Sequence, residues 1–322
     1  MIVKPREKPL RLKILQALLK RTPLHHPNYH AIKKQLARET AGFKGEQAVN
    51  YPLRYVSDKH HLILHDIRLP HQNYFFQMDT LILSSQFFLI LEIKNMKGTL
   101  FFDPEFHQLI QTYEGQKEVY QDPCAQVDLQ VYQFEQWLNQ YGFIDIPLVS
   151  LVISANSKAI LKTNPGNSQV AEKVIRGDAL PVKFAQIQKS FQQESVTKGD
   201  LKKLVNCLLN KHTPQNPLLL SQFNVTKDQL IKGVFCPHCA HVPISRIHGS
   251  WFCSKCRLKS VYAHIGALKD YALLIKSEIT NREAREFLQL ENAATVTKIL
   301  KSLQLPYFGV NKGRVHSLMF ED

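Results

Sequence analysis

The chain has 322 residues, a length that suggests about two domains. Hydrophobic residues make up 44% of it and charged residues 21%, which is a globular composition and excludes a collagen-like or largely disordered chain. Lys and Arg number 41 against 27 Asp and Glu, a formal charge of +14, so we expect a polyanionic partner, nucleic acid first. No apolar run approaches the roughly 18 residues that span a bilayer, and the first residues resemble no secretory signal. We therefore expect a cytoplasmic protein with no membrane partner.

The chain begins with a basic segment. Residues 1–38 contain ten Lys or Arg and one acidic residue, Glu7. Within this segment, apolar residues recur at helical spacing at Leu10, Ile14, Leu15, Leu18 and Leu19. That spacing predicts an amphipathic helix, and the sequence predicts a basic helical arm over residues 1–38.

Helices enclose a group of strands in the next segment. A second predicted helix, over residues 28–40, is followed after Gly42 by another. The alternation of residues 61–103 predicts three successive strands, with breaks at 70–73 and 84–86. A helix over 125–140, a buried strand over 147–154 and a helix over 198–210 follow. This order predicts an α/β sandwich for a domain at residues 39–212, then a linker at 213–231.

Two predicted neighbouring strands end in charged residues. Asp79 lies in the second strand, and Glu92 and Lys94 lie in the third, separated by one residue. Because strand side chains alternate between faces, Glu92 and Lys94 project from the same side. Two carboxylates suit Mg²⁺, and a neighbouring lysine can hold water or stabilise phosphate charge. An ordinary ion pair at the edge of the sheet explains the same residues equally well.

Four of the six cysteines form two short pairs. Cys236 and Cys239 are followed, after 13 residues, by Cys253 and Cys256. This spacing lets four thiolates bind one structural Zn²⁺ in a zinc ribbon at residues 232–264, with strands over 242–248 and 250–253. Two disulfides are the alternative, which the lack of a secretory signal disfavours.

The tail, residues 265–322, has helix caps and a terminal hairpin. Thr280 and Glu283 form the pattern of a capping box, which begins a helix over 281–289, and Asn292 can cap a second over 293–303. Predicted strands at 307–310 and 315–319 flank a basic turn. Two helices and a hairpin predict a winged helix-turn-helix that binds DNA, while a helical cap on the ribbon is the alternative. The predicted nucleic-acid contacts are Lys298, Lys301, Lys312 and Arg314.

Four motifs in the first domain occur in the order of a known family. They are Gly45-Glu46, then Asp79, then Glu92-Ile93-Lys94-Asn95 with Gly98, and finally Asp122-Pro123 with Gln126. Over about residues 41–140 the chain resembles the nuclease-related domain, NERD, of the PD-(D/E)xK nuclease superfamily. The family usually has Asn where this chain has Asp122, a change between two residues that both cap helices. The ribbon and tail also resemble accessory modules of bacterial NERD proteins.

The resemblance implies a PD-(D/E)xK nuclease-like α/β/α core that hydrolyses phosphodiester bonds. Asp79, Glu92 and the Ile93 carbonyl would bind Mg²⁺ or Mn²⁺, with Lys94 on the attacking water. Glu46 would orient the site or add a ligand, although it also suits the first turn of a helix. Gln126 would orient Lys94 or the phosphate, or would be an ordinary polar residue at a helix start.

Three functions follow from these motifs. The first is a metal-dependent nuclease acting on DNA, with the ribbon and winged helix binding the duplex. The second is a catalytically silent DNA-binding or regulatory protein that keeps a nuclease-like fold. The third is an RNA-processing nuclease.

Overall fold

The computed structural model describes residues 1–56 and 60–320, and the chain divides into two compact units. Unit 1 comprises Met1–Lys8 and Glu39–Gln215, and unit 2 comprises Pro9–Arg38 and Asn216–Asp322. The segment predicted as one basic arm, residues 1–38, is thus divided between the units.

The elements follow one another in an α/β pattern. In the first part of the chain they are β1 (Ile2–Lys4), α1 (Leu10–Arg21), α2 (Tyr29–Leu53), β2 (Leu62–His71), β3 (Tyr74–Leu83), β4 (Phe88–Lys94), β5 (Thr99–Asp103), β6 (Gln108–Tyr113), β7 (Gln116–Gln121), α3 (Pro123–Gln140), β8 (Leu148–Ser154), β9 (Ile160–Thr163), α4 (Ser168–Lys173), β10 (Val174–Arg176), α5 (Leu180–Ser190) and α6 (Lys198–Lys211). The rest are α7 (Leu219–Gln222), β11 (Ser245–Ile247), β12 (Ser250–Phe252), β13 (Lys259–Ser260), α8 (Ala263–Leu274), β14 (Glu278–Thr280), α9 (Asn281–Leu288), α10 (Ala293–Ser302), β15 (Tyr307–Phe308) and β16 (Val315–Ser317).

The main sheet of unit 1 has six strands in the order β1-β2-β3-β4-β8-β10. Strands β2, β3 and β4 are antiparallel neighbours, whereas β4, β8 and β10 run parallel. Both faces of the sheet are covered, so its central strands are apolar on both sides. Leu204 of α6 and Phe134 of α3 pack on one face, and Val49 of α2 and Phe184 of α5 pack on the other. This α/β/α arrangement confirms the predicted fold class.

A second sheet of unit 1, with the order β7-β6-β5-β9, was not predicted. The third predicted strand, residues 86–103, is wrong as one strand, because it is β4 in one sheet and β5 in the other. Gly98 lies between them with φ of +78°, and a Cβ there would be 2.2 Å from the Thr112 carbonyl oxygen. Only glycine fits this close, left-handed position, which lets the chain leave the main sheet just after Lys94.

The C-terminal part of unit 2 contains two small sheets. Strands β11, β12 and β13 form an antiparallel sheet in the cysteine segment. In the tail, α8, β14, α9 and α10 precede the β15–β16 hairpin, and the sheet order is β14-β16-β15. Two helices followed by a hairpin occur in the order predicted for a winged helix-turn-helix, with one additional strand, β14. The Thr280–Glu283 capping box and the Asn292 cap are both present, so these predictions are confirmed.

Helix α1 is part of the core of unit 2. Leu15 and Leu18 are completely buried and pack with Leu219 and Leu274. Arg21 is also completely buried, and its Nε lies 2.8 Å from Asp270 Oδ2 of α8. Residues 9–38 are therefore a folded component of this unit.

Across the part of the chain that the structure describes, no helix combines the length and apolar character needed to cross a bilayer.

Candidate functional site

The three charged residues predicted from the strand pattern meet where β3 begins to pair with the last residues of β4. Thr80 pairs with Leu91 in the antiparallel register, which brings Asp79 beside the last residues of β4. Asp79 Oδ2 accepts a hydrogen bond of 2.8 Å from the Ile93 backbone N–H. Its other carboxylate oxygen accepts none from any described residue.

Glu92 is almost completely buried. Its side chain is 5% exposed, and Oε1 accepts from Lys94 Nζ at 2.6 Å and from Gln126 Nε2 at 2.8 Å. Oε2 accepts from Gln130 Nε2 at 2.8 Å. Lys94 Nζ also donates to Gln126 Oε1 at 2.9 Å. The ion pair expected of an ordinary sheet edge is thus present, but it belongs to a network that includes two glutamines of α3.

The start of α3 fixes where these glutamines point. Asp122 is the N-cap and accepts from the Cys124 backbone N–H at 2.9 Å, and Pro123 is the first helical residue. Asp122 therefore caps the helix as the Asn of the family motif would. Gln126 and Gln130, four residues apart, lie on the same helix face and both reach Glu92.

Close packing at Gly45 brings Glu46 to the same end of the sheet. A Cβ on Gly45 would lie 2.2 Å from Asn95 Cβ, so a larger residue would force α2 away from the residue that follows Lys94. Asn95 Nδ2 donates to the Ala41 carbonyl at 2.7 Å. Gly45 of the Gly-Glu motif and Asn95 of the Lys-Asn motif therefore pack directly against each other.

Arg6, which the sequence reasoning missed, holds Glu46. Its side chain is 2% exposed, and its NH1 lies 2.6 Å from Glu46 Oε2. The same guanidinium donates to Thr80 Oγ1 at 2.9 Å and contacts His65 Nδ1 at 3.0 Å. Arg6 follows β1, which pairs with β2. This pairing places the Arg6 guanidinium in the site. A single arginine in a basic segment carries no sequence signal for such a role, whereas Gln130, four residues after Gln126, could have been found from helical spacing.

The electrostatics of the site favour a bound cation. Burial and the carboxylates of Glu92 and Glu46 raise the pKa of Asp79 well above its usual value, against the opposing effects of the Ile93 N–H and Lys94. Burial also raises the pKa of Glu46, and Arg6 opposes that rise. Burial and the nearby Arg6 and Lys4 lower the pKa of His65 to about 3, so its ring is neutral at pH 7.

The donor set fits a divalent ion such as Mg²⁺. The free oxygen of Asp79 and the carboxylate of Glu92 are hard oxygen ligands, and their mutual repulsion is what a cation would relieve. Among the described residues, one group of at least three Asp, Glu, His or Cys side chains has its ligand atoms within 4.8 Å of one another. That group is the cysteine cluster. Asp79, Glu92 and Glu46 do not form such a group, and Asp79 and Glu92 remain the candidate side-chain ligands.

The four cysteines of unit 2 form a candidate metal centre. The Sγ atoms of Cys236, Cys239, Cys253 and Cys256 all lie within 4.8 Å of one another, close enough to bind one metal ion. The pairs 236–256 and 239–253 are 3.5 Å apart, far longer than a disulfide bond of about 2.05 Å. The two knuckles have matching turns, with Ala240 N–H donating to the Cys236 carbonyl and Arg257 N–H to that of Cys253. The alternative of two disulfides is therefore wrong, because all four cysteines are free.

The predicted nucleic-acid contacts lie in two parts of the C-terminal tail. Lys298 and Lys301 are exposed on α10. Arg314 precedes β16, and its guanidinium lies 4.4 Å from the centre of the Tyr307 ring. Lys312 is in a short 3₁₀ helix (Asn311–Gly313), and its side chain lies outside the described residues.

Comparison with known protein families identifies the segment that carries the site. The model of the NERD family, described as nuclease-related domain, matches residues 41–155. These residues form a nuclease-related domain. The match includes Glu46, Asp79, Glu92, Lys94 and Gln126, so the resemblance predicted from the sequence is confirmed. Arg6 lies outside the matched part of the nuclease-related domain and joins it through β1. No curated protein and no solved structure matches the chain.

Proposed function

We propose that unit 1 is a metal-dependent nuclease that hydrolyses phosphodiester bonds in nucleic acid, with DNA as the first candidate. The observation that carries this proposal is the meeting of Asp79, Glu92 and Lys94 on adjacent strands of a nuclease-related domain. Asp79, Glu92 and the Ile93 carbonyl would hold Mg²⁺ or Mn²⁺. A bound ion of this kind supplies Lewis-acid stabilisation of charge on the phosphate.

The hydrogen bonds of Lys94 fit a role beside the reacting phosphate. Its ammonium has three N–H groups, of which one donates to Glu92 and one to Gln126. These two contacts fix the direction of the third N–H, which is available to a water or a phosphate oxygen. A donor oriented before the reaction costs no reorganisation when charge develops. Glu46, held by Arg6 through Oε2, keeps its other oxygen for a water or a ligand.

Unit 2 supplies the proposed binding functions. We assign Zn²⁺ to the four cysteines, because a set of four thiolates is typical of structural zinc. Unit 2 contains 21 Lys and Arg against 8 Asp and Glu, a surplus that suits the phosphate backbone. The exposed face of α10, with Lys298 and Lys301, would contact that backbone.

A catalytically silent nucleic-acid-binding protein is the second candidate. The Glu92–Lys94 ion pair supports it, because this contact also stabilises a sheet end that has no catalytic task. An RNA-processing nuclease would use the same residues on a different substrate.

A cleavage panel distinguishes these functions. Purified full-length protein is incubated with Mg²⁺ or Mn²⁺ and linear, nicked, single-stranded or branched DNA, or RNA. We expect cleavage of at least one DNA form, and a loss of at least about 100-fold in Asp79→Asn and Lys94→Met. Asp200→Asn, which changes an exposed acid of α6, is the matched control.

Two outcomes of this panel would contradict the proposal. Absence of metal-dependent cleavage on every substrate removes the nuclease and leaves the silent binding protein. Cleavage that survives in Asp79→Asn places the reaction elsewhere. Cleavage of RNA alone selects the RNA-processing enzyme.

Salt dependence tests the binding surface of the winged helix separately. Each phosphate contact contributes about 0.9 to the slope of log K against log salt on duplex DNA. We expect Lys298→Ala with Lys301→Ala to lower the slope by about 2. The control is Lys202→Ala with Lys203→Ala, an exposed pair on α6 of unit 1. An unchanged slope in the first variant would refute the assignment of α10.

A further inference from the structure

We propose that Tyr51 and Tyr55 form a subsite that stacks one unpaired nucleobase next to the nuclease site. The inference rests on the proposed function and specifies its substrate, a strand that is single-stranded or locally unpaired there. Bases in a duplex are already stacked and paired, so these rings can reach only a base that has left the helix.

Two tyrosine rings are exposed together at the end of α2. Tyr51 is 63% exposed and Tyr55 67% exposed. Their hydroxyl oxygens are 3.0 Å apart, and the ring centres are 5.7 Å apart with the planes at 78°. This is the edge-to-face arrangement that aromatic pairs prefer. A base can therefore stack on the face of one ring and contact the other ring.

The pair opens on a small cavity of unit 1. This cavity has a volume of about 270 Å³, a size suited to one ring system rather than a drug-sized ligand, which takes about 300–1,000 Å³. The rings line it together with Pro52, Arg176 and Asp178. Arg176 is held by hydrogen bonds to two carbonyls, those of residues 157 and 159, at 2.8 and 2.7 Å. The cavity thus combines aromatic faces with charged groups that could contact the polar edge of a base.

The cavity adjoins the candidate nuclease residues through two elements. Tyr51 follows Glu46 by five residues on α2, which separates them by about 7.5 Å along the helix axis and about 140° around it. On the sheet, Ser154 lines the cavity and is the register partner of Lys94. Ala155, another lining residue, donates its N–H to the Lys94 carbonyl at 2.9 Å. In the proposed complex, the strand crosses the ends of β4 and β8, with a phosphate at Asp79 and a nearby base against the rings.

Stacking supplies affinity without sequence selectivity, because every base has an aromatic face. A protein segment inserting a side chain is the other occupant of such a cavity. The adjacent nuclease residues favour a base, and the experiment below separates the two.

The test compares a strand with bases and the same strand without them. Fluorescence anisotropy measures binding of full-length protein to a short oligothymidylate and to an abasic strand of equal length. The buffer contains no added Mg²⁺ or Mn²⁺, so that no cleavage occurs, and no chelator, so that the cysteine site keeps its Zn²⁺. Both strands present the same phosphates, so the ratio of their Kd values reports contacts with the bases. We expect the Tyr51→Ala, Tyr55→Ala double variant to bind oligothymidylate about 5- to 150-fold more weakly, with little change on the abasic strand.

Two further variants make this result specific. The Tyr51→Phe, Tyr55→Phe double variant keeps both ring faces and should retain most of the affinity for bases. Tyr74→Ala, which removes an exposed tyrosine of β3, should leave both Kd values unchanged.

Equal losses on both strands, or no loss in the alanine double variant, would overturn the subsite and leave the cavity to another occupant. Absence of any binding by the wild-type protein would also overturn it. Because binding is measured without Mg²⁺ or Mn²⁺, the subsite and the nuclease can fail separately. Ring-dependent binding without metal-dependent cleavage would refute the nuclease while the subsite remains.

Discussion

Replacing Arg6 by methionine tests whether a residue outside the matched nuclease-related domain holds its candidate site together. Methionine keeps much of the aliphatic volume but removes the guanidinium that contacts Glu46, Thr80 and His65. Glu46 would then lie near Asp79 and Glu92 without its cation, so the variant concentrates negative charge at the end of the sheet.

The expected loss of stability follows from the burial of the Arg6–Glu46 ion pair. The two side chains are 2% and 22% exposed and their charged atoms are 2.6 Å apart. Removing one partner of a buried ion pair costs about 3–5 kcal/mol, since the other charge stays buried. Water reaches the exposed fifth of the Glu46 side chain. We therefore expect the free energy of unfolding to fall by about 3 kcal/mol, at the lower end of that range. Adding Glu46→Gln removes the stranded charge and should recover about 1–2 kcal/mol.

The assay must report on unit 1 alone. The chain has two tryptophans, of which Trp137 lies in α3 of unit 1 and Trp251 in β12 of unit 2, both at most 1% exposed. Labelling with 5-fluorotryptophan gives each unit its own ¹⁹F signal during urea unfolding. We expect the loss on the Trp137 signal, with the Trp251 transition unchanged.

Arg68→Met is the matched control, because it removes an arginine of β2 whose bond to the Thr213 carbonyl is exposed. This variant should lower the free energy of unfolding by less than about 1 kcal/mol, as the loss of a surface contact usually does. A loss below 1 kcal/mol in Arg6→Met, or no recovery in the double variant, would refute the idea that Arg6 neutralises Glu46.

The same two signals test three further predictions. Asp270→Asn leaves the buried Arg21 without its carboxylate and should cost about 3 kcal/mol on the Trp251 signal; a loss below 1 kcal/mol would contradict this. A zinc chelator should lower the stability reported by Trp251, which packs in the same core as the cysteines, and leave Trp137 unaffected; equal changes would place the metal elsewhere. Since the pKa of His65 is about 3 in the folded protein and about 6.5 unfolded, the unfolded chain takes up a proton that the folded one does not. Stability of unit 1 should therefore fall by about 2 kcal/mol between pH 6.5 and 5, and His65→Gln should remove that part of the slope.

Local patterns predicted the parts of the structure that depend on local contacts. The caps at Thr280 and Asn292 were predicted because capping involves residues at most three apart in sequence. Strand alternation placed Glu92 and Lys94 on one side, where they make their ion pair. These predictions required no knowledge of which strands are neighbours.

Features that depend on distant contacts escaped prediction. Strands β6 and β7 form a hairpin with mostly half-buried or exposed residues, so the apolar alternation that signals a strand is weak there. Arg6 is 40 residues from Glu46 in the sequence, and nothing near it distinguishes it from other basic residues of the segment. The candidate site was thus predictable where motifs carry its ligands, and unpredictable where a short strand delivers a single side chain.

The positive charge shows why the division of the chain matters to function. By sequence segment, residues 1–38 and the ribbon carry much of the surplus, but residues 9–38 fold with residues 216–322. Unit 2 therefore carries +13 of the +14, and unit 1, with the candidate nuclease site, carries +1. A near-neutral unit exerts little long-range attraction on phosphate. Long-range attraction scales with net charge and is screened by salt, so it comes mainly from unit 2. We therefore expect salt to weaken the initial binding of nucleic acid far more than it weakens the contacts of a strand already in the site.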